Sequence, residues 1–109
     1  MANTYSVLGQ VAPSATTLTT LYTVPASTSS VISTITVCNR GSNSATFRVA
    51  VRPAGAAISN EHYIVYDGAI AANDMLAFTM GITLATTDVV SVYASTANLS
   101  FNAYGSKIT

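Results

Sequence analysis

The sequence predicts an all-β protein: a single β-sandwich of about eight antiparallel strands, jelly-roll or immunoglobulin-like. Three observations lead there. Runs rich in Val, Ile, Thr, Tyr and Phe are separated by clusters of Gly, Pro, Asn, Asp and Ser, with turn signals about every ten residues, the spacing of short sandwich strands. Within those runs polar and apolar residues alternate. Phe47, Val49 and Val51 share one face while Arg48, Ala50 and Arg52 share the other, the pattern of a strand with one core face. Leu99, Phe101 and Ala103 likewise oppose Ser100, Asn102 and Tyr104, and Val90, Val92 and Ala94 oppose Val89, Ser91 and Tyr93. Third, no segment repeats its apolar residues with the period of an amphipathic helix.

Taken in order, the first strand is expected over Thr4–Val11 and ends at the Pro13-Ser14 break. The second, Thr17–Val24, stops at Pro25, because proline cannot donate to a ladder. Val31–Cys38 is the third, and the loop "NRGSNS" leads to the fourth, Ala45–Arg52. The longer stretch "PAGAAISNE" reads as a crossover between sheets. Then come His62–Asp67, a turn "GAIAAND", and Met75–Leu84, whose internal Gly81 marks a bulge or kink. Val89–Ser95 and Leu99–Gly105 complete the set and are expected to pair with each other. Residues 1–12 form either an edge strand or an arm ordered by a partner, and residues 13–109 form the sandwich domain.

Composition narrows the function. The chain has 109 residues, 50% hydrophobic and only 7% charged, with zero formal net charge; soluble domains are typically about one quarter charged. A surface this poor in charge favours association with copies of itself or with other proteins. Positions 1 to 39 hold no charged side chain, and Arg40, Arg48 and Arg52 are three of the four basic residues. That excess is too small for phosphate neutralisation, so nucleic acid is not an expected partner. No run approaches the roughly 18 apolar residues of a membrane-spanning helix. "MANTYSVLGQ" has neither a basic n-region nor an apolar h-region, so synthesis without a signal peptide is expected.

Chemistry has little to stand on. His62 is the only histidine; it alternates with Ile64 and Tyr66 on the expected strand and has no nucleophile fixed beside it. Asp67-Gly68 and Asn73-Asp74 read as turn residues, and the sparse acids make a calcium site unexpected. Cys38, the single cysteine, reads as a small packing residue. No catalytic, cofactor or metal residues are therefore assigned, and the chain is not read as an enzyme. The candidate contact residues are Arg40, Arg48, Arg52, Tyr63, Tyr66, Tyr93 and Tyr104. Arginine forms fixed, forked hydrogen bonds, and outward tyrosines suit protein interfaces or glycan platforms. Arg48 and Arg52 should face the same way about 13 Å apart at ~3.3 Å per residue, toward an acidic patch between Glu61 and Asp88 of a neighbouring copy.

The strand and turn motifs "LYTVPASTSSVISTITVCNRGSNSATFRVAV" and "GITLATTDVVSVYASTANLSFNAYGS" resemble those of small virion proteins of tailed bacteriophages, cyanophages included. The similarity runs from about Leu18 to the end of the chain. It implies a virion structural protein on the outer surface of the head or tail. The expected role is a capsid decoration (cement) protein acting as a homo-oligomer, with three copies the expected number and the major capsid protein as partner. The alternative is a tail, baseplate or fibre component with a receptor- or glycan-binding role.

Overall fold

Proline and the small polar clusters divide the chain as the alternation predicts. The computed structural model describes residues 2–109 and contains β1 (Asn3–Val11), β2 (Thr19–Thr23), β3 (Ser29–Asn39), β4 (Ala45–Arg52), β5 (Tyr63–Ile70), β6 (Met75–Leu84), β7 (Val89–Ala94) and β8 (Leu99–Ile108). Two single 3₁₀ turns, Pro53–Gly55 and Asn60–His62, lie between β4 and β5. Pro13 and Pro25 fall between strands, where a missing N–H costs no ladder bond.

The strands form two four-stranded antiparallel sheets, ordered β1-β8-β3-β6 and β2-β7-β4-β5. Pairing is nested: β1 with β8, β2 with β7, β3 with β6, and β4 with β5. That is the jelly-roll arrangement. The immunoglobulin alternative fails because β1 finds its partner at the far end of the chain and not in β2. β7 and β8 do not pair, contrary to the expectation from sequence, because each lies at a central position of a different sheet.

The inward faces supply one core. Phe47 packs its ring 5.8 Å from Phe78 and 6.1 Å from Phe101, and Ile32, Ile35, Ile70, Leu84 and Leu99 close around them, essentially without solvent exposure. Each such side chain contributes about 1.5–3 kcal/mol relative to exposure. Buried polar groups are paired: the Tyr22 hydroxyl lies 2.7 Å from Ser30 Oγ. The Asn39 amide donates to the carbonyls of Asn43 and Ala71 at 2.9 and 3.2 Å and accepts from the Gly41 N–H at 2.9 Å. That buried amide ties the β3–β4 loop to the β5–β6 turn.

Bulges shape the first sheet. β8 runs straight, while β1 carries Leu8 as an extra residue and β3 carries Ser33. β6 in turn places Met80 and Gly81 opposite Ser33, so Gly81 does sit at a bulge. Extra residues on both sides of one strand bend a sheet and increase its twist.

Four expectations are corrected. The "PAGAAISNE" segment joins neighbouring strands of one sheet and folds back over its outer face, which is why outward Ala50 and Ser91 are fully buried. β5 continues through Asp67 and Gly68 to Ile70; Asp67 takes a left-handed φ of 52° inside the strand, where the β4 ladder shifts register. His62 lies in a 3₁₀ turn and not on the strand. Cys38, in register with Ser100 and Met75, is only half-buried on the outer face of its sheet.

Candidate functional site

The arginines of the fourth strand have distinct surroundings. Alternation sends Arg48 out of β4, and the ladder with β7 places Tyr93 opposite it. On the other side the bulge of β5 brings both Tyr66 and Asp67 alongside. The guanidinium therefore lies between two rings, 4.2 Å from the Tyr66 centroid and 4.4 Å from that of Tyr93, which present their negative faces to the cation. Its Nε and Nη2 donate to the two carboxylate oxygens of Asp67 at 2.7 and 3.4 Å. The hydrogen bond to Asp67 is the main cause of an Arg48 pKa raised above the usual arginine value; desolvation opposes the rise and the charge of Asp67 adds to it.

Tyr63 extends the group, meeting Tyr66 edge-to-face with centroids 4.9 Å apart, a preferred aromatic geometry. Asn60, Tyr63 and Tyr66 line a shallow cleft of about 350 Å³ beside the ion pair. Tyr66 is 59% exposed. Four of the candidate contact residues, Arg48, Tyr63, Tyr66 and Tyr93, thus converge on one outer face. Asp67 and Asn60 complete the cluster, and neither stood out in the sequence. Asp67 looks like a hairpin residue because an Asp-Gly pair serves a turn and a bulge equally well. The acidic partner of Arg48 is on its own chain.

The other candidates are placed elsewhere. Arg52 shares the outer face of β4, but its donors are committed to the Ala56 carbonyl at 2.8 Å, the Gly55 carbonyl at 3.1 Å and Ser91 Oγ at 3.2 Å. It clamps the 3₁₀ loop onto the sheet. Arg40 donates to the Ala97 carbonyl at 3.0 Å and holds the β7–β8 turn. Tyr104 belongs to the opposite sheet, in register with Val7 and Thr34. His62 is structural: its Nδ1 accepts the Ser59 N–H at 3.2 Å. Glu61 has its pKa lowered, first by its own backbone N–H, then by the Ser59 hydroxyl, with the neighbouring His62 adding to the effect.

The outer face of β1-β8-β3-β6 has a different character. Its rows run Gln10–Asn102–Thr36–Ala77, Val7–Tyr104–Thr34–Thr79 and Tyr5–Ser106–Val31–Thr83. Lys107 is the one charged residue in these four strands, and it lies on the inward side in register with Thr4 and Ser30. Tyr5 is 80% and Val7 49% exposed on the charge-free side. Such a face can be buried without removing ions from water.

No group of three or more His, Cys, Asp or Glu side chains suited to a metal ion occurs among the described residues. The arrangement offers aromatic faces, amides, hydroxyls and one fixed ion pair, which is chemistry for contact. Compared with protein-family models, curated proteins and solved structures, the chain matches none.

Proposed function

We propose that the chain is a structural component of a tailed-phage particle, a decoration protein that stabilises the capsid as a homo-oligomer on its outer surface. The observation that carries the reading is the charge-free outer face of β1-β8-β3-β6, a four-strand area with exposed Tyr5 and Val7. Burying about 800 Å² per partner is ordinary for a specific interface, and on this face it strips no ion of its hydration. The motif resemblance to small virion proteins supports the same reading. Many copies, each bridging neighbouring capsid subunits, would add contact area and raise the internal pressure the shell tolerates. Copy number per particle, read by cryo-EM, tests this: hundreds are expected, and a handful or a dozen would overturn it in favour of the tail.

The Asn60–Tyr63–Tyr66 cleft favours a second reading, a tail, baseplate or fibre component that stacks a glycan ring on tyrosine. Glycan-array binding by the isolated protein that disappears in Tyr66→Ala would establish it. Loss of nothing in that variant would remove it.

A further inference from the structure

The two sheets treat their edges differently. Edge strands expose unpaired N–H and C=O groups, and natural sheets blunt them with short strands, bulges, charges or covering loops. The sheet β2-β7-β4-β5 does so at both ends. β2 has only 5 residues and a register shift at Leu21, whose carbonyl oxygen lies so close to Gly9 that a Cβ there would meet it at 2.1 Å. β5 carries Asp67 and two register shifts.

The sheet β1-β8-β3-β6 has only bulges, at Leu8 on β1 and at Met80–Gly81 on β6, and sets no charge or proline on either edge strand. β6 runs 10 residues, Met75–Leu84, without a charge or a proline, and its free side meets no other strand. On β1, the stretch Asn3–Val7 before the Leu8 bulge is uncharged, unbroken and exposed at every residue. Two uncharged, proline-free edges at opposite ends of one sheet are complementary in a further respect. The sheet is antiparallel throughout, so β1 and β6 run in opposite directions. A copy related by rotation about an axis along the strands therefore sets its β1 antiparallel to the β6 of its neighbour, which continues the existing ladder pattern.

We infer that β6 of one copy pairs with β1 of a second copy, head to tail, so that the sheet continues from subunit to subunit and closes in a ring. A pairing of β1 with β1, or of β6 with β6, would satisfy one edge and leave the other open; only the head-to-tail contact uses both. A head-to-tail contact that closes gives a cyclic oligomer. This deepens the decoration-protein reading and rests on it for the number of copies, but it concerns the free protein and is tested without particles.

The test uses two variants at exposed positions, Tyr5→Glu with Val7→Glu on β1, and Thr79→Glu with Thr83→Glu on β6. Light scattering after size exclusion at high micromolar concentration should give the wild type a mass three times the 11.2 kDa of the chain. Each variant alone should be monomeric, with wild-type far-UV circular dichroism. Mixed, they should form a species of twice 11.2 kDa and nothing larger, because each contributes one intact edge. A monomeric wild type overturns the inference, even if that monomer binds capsids and so leaves the functional reading standing. An oligomer that survives in either variant, or a mixture that stays monomeric, overturns it too. Where a glutamate variant fails to fold, lysine at the same positions serves.

Discussion

Three glycines of the bulged sheet should respond very differently to one added methyl group. At Gly105 a Cβ would lie 2.0 Å from the carbonyl oxygen of Val31 and 3.0 Å from Cα of Ile32, where ordinary contact begins at 3.4 Å. Relief requires β8 and β3 to part by more than 1 Å, and β8 is held on its other side by β1. Overpacking of this kind costs about 1–3 kcal/mol, and two strained ladder bonds add about 1 kcal/mol each. Gly105→Ala should therefore lose about 3–5 kcal/mol in urea unfolding. At ~4 °C per kcal/mol for a domain of this size, Tm falls by on the order of 12–20 °C. Gly9→Ala meets the Leu21 carbonyl at 2.1 Å, but β1 is an edge strand and can yield, so about 1–2 kcal/mol is expected. A Cβ at Gly81 has nothing within 4 Å. Gly81→Ala should be neutral or stabilise by up to about 1 kcal/mol by restricting the unfolded chain. Protein concentration must be held constant, since self-association would make Tm depend on it. A Gly105→Ala protein within 0.5 kcal/mol of wild type, or a Gly81→Ala protein that is the least stable of the three, would refute the reasoning.

Three further outcomes are expected. Tyr22→Phe removes the partner of fully buried Ser30 and should cost about 1–3 kcal/mol; the double variant with Ser30→Ala should recover part of that loss in the same denaturation assay. Asp67→Asn should weaken the fork that holds Arg48 between its two rings, changing the near-UV dichroism of the tyrosines while the far-UV spectrum stays constant. Glu61 has a folded-state pKa below its unfolded value, so its contribution to stability is complete above the unfolded glutamate pKa and is lost as pH falls through the folded one. Glu61→Gln should flatten the acid side of a Tm-against-pH profile while leaving the neutral region alone, and an unchanged acid limb would exclude this role.

Eight strands were legible from local rules. Turn residues and alternation act over a few positions, so Pro13, Pro25 and Asn73-Asp74 mark boundaries regardless of where the chain goes next. Which side chains face the core followed as well: Phe47, Val49, Phe101 and Ala103 are buried as their period-two pattern requires. The same rules misread Asp67-Gly68, because a left-handed residue before glycine satisfies a bulge as readily as a hairpin turn. They also made Ala50 an outer residue, as its face is, while the loop that covers it belongs to a different stretch of chain.

The candidate site divides along the same line. Its residue types, aromatic and arginine in a nearly uncharged chain, were visible in the sequence, and so was the charge-free character of positions 1 to 39. Their grouping was not. Tyr93 joins Arg48 because β7 pairs with β4, Asp67 joins it because β5 bulges, and Tyr104 is excluded because β8 pairs with β1 and β3 on the opposite sheet. Pairing partners in a jelly roll are chosen by closing long loops around a shared core, a global balance of burial against loop entropy to which no short window of sequence has access. Strands, their faces and the scarcity of charge follow from local patterns along the chain; which strands became neighbours, which arginine met the tyrosines and which two edges stayed open follow only from the assembled sheets.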